Sequence, residues 1–318
     1  MPTKRQPTRG EQGTVSGQRE RDESSHTHTL KATACFGLSA ADQIGSALWR
    51  GVLGGELTQP QFLVLVAAHT RPGLGHHELA ELAAIGRATV GPLVKKLVDA
   101  GMLERKKDPR DSRRSVLTAL PRAIELLAAT AEGADTVDFE LMAPLSTAET
   151  AAVVQSWSLV AAASPPAESL SGASDPEPTE VSALDTRPWF HLRRARRAYR
   201  RIWHDVVSDS VSSSQFTLMT VIHDSPQIDI RTAARVASVE ETTALRIVMR
   251  LARTRIVRDT RDTSDRRRSL LTLTDFGQEL HATLWQRLAA AERTLQAQIP
   301  LQARSEFLRL TRKVARLA

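Results

Sequence analysis

Apolar residues recur at helical spacing over much of the chain, with polar residues on the opposite faces. From Asp42 to Leu53 the apolar positions fall three and four apart, which predicts an amphipathic helix. The next helix has a marked start, because Thr58-Gln59-Pro60-Gln61 has the sequence of a capping box with proline in the first turn. This pattern predicts a mainly α-helical chain.

Two further helices have the spacing of a helix-turn-helix. The first is predicted around His76–Ala83 and the second over Arg87–Ala100, whose apolar positions share one face. Gly101 suits the left-handed residue that ends a helix, and the charged stretch Asp108–Thr118 reads as a β-hairpin. An ordinary helical hairpin with a solvated face is the alternative. The arginine-rich hairpin directly after the helices favours a DNA-binding winged helix-turn-helix.

The same pattern occurs twice, at a constant step from position 61 to position 215, which is 154 residues. Asp108–Thr118 recurs as Asp262–Thr272, and Trp49 superposes on Trp203 without a gap. A period this long predicts two whole domains rather than the short units of a solenoid.

The amino-terminal segment differs in composition from the repeats. Residues 1–37 are polar with few large apolar side chains, and they are predicted to form a disordered tail. His26 and His28 lie in this segment without further ligands, so we expect them to be solvated and predict no metal site.

The domain boundaries follow from composition. The first domain is predicted over 38–163, where long helices follow the hairpin, and the second over 187–318. Between them, 164–186 contains four prolines and five acidic residues but no basic one. That composition is typical of an extended linker.

The charge of the chain limits the class of partner that it would bind. Lys and Arg number 43 against 36 Asp and Glu, a net charge of +7, and eleven arginines lie in 229–269 beside six acids. Such a concentration attracts a polyanion such as DNA. The single cysteine, Cys35, excludes an internal disulfide and indicates a reducing compartment. No apolar run is long enough to span a bilayer, so we expect a cytoplasmic protein with no membrane partner.

No motif of an enzyme is recognisable: there is no phosphate-cradling glycine loop, metal-ligand cluster or nucleophile elbow. We therefore expect neither catalysis nor a cofactor. Two classes of function remain, a ligand-responsive DNA-binding regulator and a protein-interaction or architectural module with only non-specific DNA affinity. Arginines in both hairpin tips favour the regulator.

Three segments, Leu57–Leu65, Thr89–Arg105 and Asp108–Thr118, resemble the MarR family of winged-helix transcriptional regulators. The hairpin pattern Asp-Pro-x-Asp-x-Arg-Arg before an apolar-Thr strand is specific to that family when it follows such a helix. The resemblance implies that ordinary members are homodimers, with interlocked terminal helices and two lobes on a pseudo-palindromic operator. For this chain it implies a mainly α fold with small β-wings, in which two winged helix-turn-helix domains form an intramolecular pseudo-dimer. A monomeric chain is then expected to act as a repressor on a double-stranded DNA operator.

In that architecture the second helix of each helix-turn-helix enters the major groove, and wing arginines reach phosphates or the minor groove. The DNA-binding candidates of the first copy are Arg87, Thr89, Lys95, Lys96, Arg110, Arg113 and Arg114. Those of the second copy are Thr242, Thr243, Arg246, Arg250, Arg266, Arg267 and Arg268. Glu240-Glu241 replaces Gly86-Arg87, and acids near this helix start repel phosphates. The two half-sites are therefore expected to be read differently.

The resemblance also implies a small aromatic or phenolic effector, bound between the interlocked helices and a DNA-binding lobe. The candidate ligand-binding residues are Trp49, His69, Trp203 and His223. Core packing of the tryptophans and helix-end hydrogen bonding of the histidines are the alternatives.

The second copy opens with a basic helix beside an apolar stripe that is expected to pack. Its arginines are expected to face solvent or the acidic linker rather than DNA. They are Arg193, Arg194, Arg196, Arg197, Arg200 and Arg201.

Overall fold

The computed structural model describes residues 26–55, 57–108, 114–162, 184–261 and 269–317. The chain divides into two compact units. The larger comprises Gly37–Ser213 and Leu284–Ala318, and the smaller comprises Ser214–Thr283 with the described residues up to Phe36. Across the described ranges, no helix has both the length and the apolar character needed to cross a membrane.

Helices make up most of the described chain. In chain order the elements are α1 (His26–Lys31), α2 (Ala34–Leu53), α3 (Gln59–Thr70), α4 (His76–Leu82), α5 (Arg87–Asp99), β1 (Leu103–Lys107), β2 (Ser115–Ala119), α6 (Pro121–Met142), α7 (Thr147–Ala162), α8 (Pro188–Val206), α9 (Ser213–Asp224), β3 (Ile228–Asp229), α10 (Ile230–Val236), α11 (Glu241–Arg253), β4 (Val257–Arg261), β5 (Ser269–Leu273), α12 (Asp275–Gln296), a short 3-10 helix (Leu301–Ala303) and α13 (Arg304–Val314).

The larger unit contains the first helix-turn-helix, α4 and α5, followed by the antiparallel hairpin β1–β2. The hairpin register runs from Leu103 opposite Ala119 to Lys107 opposite Ser115. The long helices pack beside it, with α8 against α6 and α7, and α13 against α7. Trp157 is fully buried among them, which places the main core of this unit where the long helices meet.

The smaller unit contains the second helix-turn-helix, α10 and α11, and a three-stranded sheet in the order β3-β5-β4. The β4–β5 register runs from Val257 opposite Leu273 to Arg261 opposite Ser269. Phe216 and Leu271 are fully buried in this unit. Its hairpin therefore follows the recognition helix as the first hairpin does.

Six elements recur with identical bounds after the 154-residue step: α3 and α9, α4 and α10, α5 and α11, β1 and β4, β2 and β5, and α6 and α12. Helix ends follow local signals in both halves of the chain. Thr58 forms the predicted capping box with Gln61. Gly101 has the predicted left-handed conformation at φ 68°, and Arg255 adopts φ 58° at the matching position although it is not glycine.

The prediction of a disordered tail over 1–37 is wrong for its last part. Helix α1 and the start of α2 lie in this segment, and Leu30, Cys35 and Phe36 are buried. Thr33 links the two helices, since the Phe36 amide donates to its hydroxyl over 3.3 Å. A composition averaged over the whole segment concealed these few apolar anchors. Residues 1–25 and most of the predicted linker, 163–183, lie outside the described part of the chain.

The arginines of α8 differ in part from their prediction. Arg194 pairs with Asp185 at the end of the predicted linker, at 3.3 Å. Arg197 and Arg201 instead pair with Glu81 of α4, at 2.6 and 3.2 Å. The buried apolar stripe of α8 holds the helix against the first copy, so the flanking guanidinium groups meet carboxylates there rather than solvent.

Two side-chain contacts of the larger unit join positions that are 154 residues apart. Arg196 forms an ion pair with Asp42, whose side chain is 10% exposed. The indole nitrogen of Trp157 donates to the hydroxyl of Thr311 over 3.2 Å, and both residues are buried. Each contact thus links a residue to its own counterpart in the repeat.

We predict that the Asp42–Arg196 pair can be reversed but not broken. Asp42→Arg or Arg196→Asp alone places like charges together in a largely buried position, which should lower the free energy of unfolding by about 2–4 kcal/mol. The double reversal restores opposite charges and should recover most of that loss. Urea unfolding of the four proteins measures the coupling.

The exposed pair Lys95–Asp99, with side chains 76% and 61% exposed, is the matched control. Reversing it should change the free energy of unfolding by less than about 1 kcal/mol. Additive losses in the Asp42→Arg, Arg196→Asp double variant would contradict a direct interaction.

Candidate nucleic-acid interface

The recognition helix of the first copy, α5, buries one face and exposes the other. Val90, Val94 and Leu97 are buried, whereas Thr89, Lys95 and Lys96 are exposed. This is the division that the helical spacing predicted. Lys95 forms an ion pair with Asp99 along the exposed face, at 2.8 Å. Arg87 opens the helix, but its side chain is outside the described part of the structure.

The first wing carries basic residues that the sequence reasoning missed. Arg105, Lys106 and Lys107 lie on β1 and are exposed. The signal available in the sequence was a strand with three consecutive basic residues before the hairpin tip. Together with the lysines of α5, these residues form a positive surface along the helix-turn-helix and wing of the first copy, which we call its reading head.

Arg114, a predicted DNA contact, is oriented by carboxylates at the base of the wing. Its guanidinium donates to both oxygens of Glu78, at 3.0 and 2.9 Å, and lies 4.0 Å from Asp108. Glu78 also accepts from the amide of Gly75, so it ties the wing to the start of α4. Half of the Arg114 side chain remains exposed to solvent.

The tips of both wings are outside the described residues. The candidates there stay predictions: Arg110 and Arg113 in the first copy, and Arg266, Arg267 and Arg268 in the second.

The recognition helix of the second copy, α11, has the same division of faces. Ala244, Val248 and Leu251 are buried, and the outward candidates Thr242, Arg246 and Arg250 are exposed. Thr243 is half-buried. The repeat therefore places matching positions outward on both recognition helices.

Glu240 caps α11, a role that the sequence reasoning missed. Its carboxylate accepts from the amide and the hydroxyl of Thr243, at 3.0 and 3.1 Å, and from the hydroxyl of Thr242. These hydrogen bonds hold the pKa of Glu240 below its ordinary value, and the bond from the Thr242 hydroxyl has the largest effect. The acid that was expected to repel phosphates is thus a helix cap next to the positive end of the helix dipole.

Two exposed apolar side chains distinguish α11 from α5. Leu245 is 50% exposed and Met249 is 48% exposed, on the same face as Arg246 and Arg250. The matching positions in α5 are Gly91 and Lys95. Apolar side chains at this place can contact the methyl group of thymine, whereas lysine is suited to phosphate.

The two tryptophans proposed for effector binding are core residues with internal partners. The indole nitrogen of Trp49 donates to the carbonyl of Leu57 over 2.8 Å, and that of Trp203 donates to the carbonyl of Val211 over 2.6 Å. Both side chains are buried at 2% exposure. The same bond at both positions indicates a structural role, which was the alternative interpretation.

The two histidines proposed for effector binding have different surroundings. His69 is exposed at the end of α3. His223 is half-buried in the smaller unit, where its Nδ1 lies 3.0 Å from a carboxylate oxygen of Asp224. His26 approaches the same oxygen to 3.3 Å, so the expectation that it is solvated is wrong, because α1 folds back onto the end of α9. His28, on the outer side of α1, is exposed as expected.

A cavity in the larger unit lies between α8 and the helix-turn-helix of the first copy. Its volume is about 250 Å³. Arg194, Arg197 and Arg201 line it on one side and Glu81 on the other, with small alanines between them. The lining contains three guanidinium groups and one carboxylate, and Arg194 also pairs with Asp185, so a net positive charge remains that suits an anionic ligand.

Comparison with known proteins places these features in a family. A sequence model described as the MarR family matches residues 57–115. The transcriptional regulator HosA of Escherichia coli O157:H7 is 31% identical over 127 residues, which cover 40% of this chain and 93% of that protein. The HTH-type transcriptional regulator TtmR of Methylorubrum extorquens is 33% identical over 86 residues, which cover 27% of this chain and 44% of that protein.

Solved structures are similar to part of the chain. The PcaV transcriptional regulator of Streptomyces coelicolor, in complex with its natural ligand, is 31% identical, with a TM-score of 0.40 over 43% of this chain and 97% of that chain. A mutant MarR from E. coli, complexed with operator DNA, is 20% identical, with a TM-score of 0.34 over 36% of this chain and 84% of that chain.

We predict that exchanging Lys95 and Met249 between the recognition helices changes the number of phosphate contacts. Met249→Lys should steepen the dependence of DNA affinity on salt by about one ion, and Lys95→Met should make it shallower by about one. The measurement is the slope of log affinity against log salt for the full chain on a fixed duplex.

Phe139→Lys is the control. Phe139 is 73% exposed near the end of α6, so this substitution adds the same charge at an exposed position outside both helix-turn-helix units and their wings. If all three variants keep the slope of the unaltered protein, the outward faces of α5 and α11 do not contact phosphates.

Proposed function

Because the chain belongs to the MarR family, we propose that it is a single-chain repressor whose two winged helix-turn-helix domains act as the two halves of one family dimer. One chain binds one pseudo-palindromic operator in double-stranded DNA, and a small aromatic acid releases it. Membership of this family supports a role in transcriptional regulation and DNA binding. The single-chain arrangement, the repression and the effector are our proposals.

The observation that carries the proposal is that counterpart positions touch. In an interface with two-fold symmetry, a residue on the axis meets its own counterpart. Asp42 meets Arg196, and Trp157 meets Thr311, each pair separated by the length of the repeat. Helices from both copies meet at these contacts inside the larger unit, as the interlocked half of a dimer requires.

One further pair of positions, away from these contacts, recurs in reciprocal form, which is the second property of such an interface. His191 of α8 lies 2.8 Å from the hydroxyl of Ser158 of α7. The counterparts of this pair are Gly37 and Arg312. A Cβ added to Gly37 would lie 3.9 Å from Cγ of Arg312, so the positions of this second pair are also close in space.

The axial pairs are complementary rather than identical. Two first copies would place Asp42 against Asp42 and Trp157 against Trp157, which would bring like charges and two large side chains together. The observed pairs combine opposite charges and a large with a small residue. These differences favour the pairing of the first copy with the second over the pairing of either with itself.

Sequence-specific regulation is favoured over the alternative of an interaction or architectural module. Both recognition helices expose basic residues opposite matching buried positions, and the first wing adds three exposed basic residues. A module that only associates with proteins has no use for this surface in both copies. The different outward residues of α5 and α11 support an operator whose half-sites differ in sequence.

We predict that one chain occupies one operator. Native mass spectrometry of the full chain with the DNA that flanks its own gene should show one chain per minimal duplex, because both reading heads are present in that chain. Binding should persist against an excess of unrelated duplex of the same length.

Two chains on the minimal duplex would refute the single-chain arrangement. Equal binding to every duplex, lost at modest salt, would indicate purely electrostatic association and favour the interaction-module alternative.

The effector site that we propose is the arginine-lined cavity of the larger unit. Arg197 donates to Glu81 over 2.6 Å and to the carbonyl of Ala80 over 3.2 Å, so it joins α8 to α4. An aromatic carboxylate would compete with Glu81 for Arg197 and Arg201. Since α4 is the first helix of the helix-turn-helix, loss of this link would free α5 to move off the DNA.

We predict that benzoate binds this cavity. Isothermal titration calorimetry of the full chain should show binding that Arg197→Gln weakens by about 10- to 100-fold, the value of one charge-assisted hydrogen bond. Benzoate should also lower operator affinity of the unaltered protein but not of the variant.

Benzyl alcohol, which has the ring without the carboxylate, should bind far more weakly. Arg309→Gln is the control, because Arg309 pairs with Glu149 outside the cavity. Undiminished benzoate binding by Arg197→Gln would show that the effector binds elsewhere, for example beside His69.

A further inference from the structure

The smaller unit gathers three polar donors between α1 and the end of α9. Nδ1 of His26 and Nδ1 of His223 lie 3.3 and 3.0 Å from the same oxygen of Asp224. One ligand atom from each of the three residues lies within 4.8 Å of the others. The cluster is independent of the DNA-binding face and of the arginine-lined cavity, neither of which uses these residues.

The spacing of these atoms suits a metal ion. Zinc binds imidazole nitrogen and carboxylate oxygen at about 2.0–2.2 Å, so neighbouring ligands of a tetrahedral site lie about 3.3 Å apart. Both nitrogen–oxygen distances in the cluster are close to that value. Hydrogen bonding accounts for the same distances only if both imidazoles donate a proton to one oxygen, and a metal ion would replace those two protons.

The second carboxylate oxygen and the neighbouring rings hold the ligands in place. The amide of Thr27 donates to Asp224 Oδ2 over 2.5 Å, which leaves Oδ1 directed at the histidines. His281 stacks on His223 with ring centroids 4.5 Å apart, and its Nε2 lies 3.0 Å from the hydroxyl of Thr220. Such outer contacts fix the orientation of metal-binding histidines.

The first copy lacks this cluster. His69 occupies the position that corresponds to His223, but Thr70 follows it where Asp224 follows in the second copy. His281 corresponds to Leu127. Asp224 and His281 therefore occur only in the second copy of the repeat, and His26 lies in the segment before the first copy.

We propose that His26, His223 and Asp224 form a binding site for a divalent transition metal ion of the zinc class. Two imidazoles and one carboxylate supply three ligands, and the fourth position is open to water or to another small ligand. The bound ion would fasten α1 to the end of α9. That link lies directly before β3 and the helix-turn-helix of the second copy.

The test is zinc binding by the full chain without an affinity tag. After removal of metal with a chelator, titration against a zinc-sensitive dye should show one zinc ion per chain. His223→Gln and Asp224→Asn should each weaken zinc binding at least about 10-fold, since even outer groups of such sites contribute that much. Cobalt(II) should give the intense visible absorption of a tetrahedral site, and Asp224→Asn should abolish it.

His28→Gln and His69→Gln are matched controls, because one is an exposed histidine of the same helix and the other occupies the corresponding position of the first copy. Both should bind zinc as the unaltered protein does. Circular dichroism checks folding, and His26→Gln, on α1 outside the helix-turn-helix, provides a further ligand variant. No stoichiometric zinc binding, or equal affinity in the His26, His223 and Asp224 variants, would overturn the proposal whatever the outcome of the DNA experiments.

Discussion

The larger unit depends on how the start of α8 is held. Asp138 of α6 accepts from the amide of Trp189 over 3.1 Å and from Arg187 over 3.0 Å. Burial raises the pKa of Asp138 to about 6, although these two donors lower it, so the charged carboxylate is held in an unfavourable environment. Trp189 packs against Trp49 at 5.5 Å between ring centroids. The direction of α8 follows from this anchor, and with it the contacts that the helix makes with α4 and α7.

The two recognition helices show how one backbone plan can present different chemistry. In both, buried residues at helical spacing fix which face points outward. On α5 that face carries lysines after a glycine cap, whereas on α11 it carries Leu245 and Met249 beside arginines after a Glu240 cap. The cap of α11 also constrains Thr243, whose hydroxyl bonds Glu240 and accepts from Arg246 over 3.2 Å. A difference at the helix start thereby extends to a side chain on the outward face of α11.

Local features of the fold could be predicted from the sequence, because they depend on neighbours along the chain. The capping box at Thr58, the left-handed Gly101 and the helix positions after the 154-residue step are of this kind. Contacts between distant segments could not be predicted in this way. His26 meets Asp224 at a separation of 198 residues, and periodicity carries no information about which helix face meets which.

The candidate site residues show the same distinction between local features, which the sequence predicts, and contacts between distant segments, which it does not. The outward positions of α5 and α11 followed from helical spacing, whereas Trp49 and Trp203 could be assigned to the core only once their indole partners were visible.

The ion pair between Asp42 and Arg196 has a wider consequence. In a homodimer, one codon determines both residues of a pair that meets on the two-fold axis. No mutation can therefore place opposite charges in such a pair. In the single-chain arrangement that we propose, two copies on one chain remove that restriction, and each half is then free to acquire residues that would be harmful if they appeared twice.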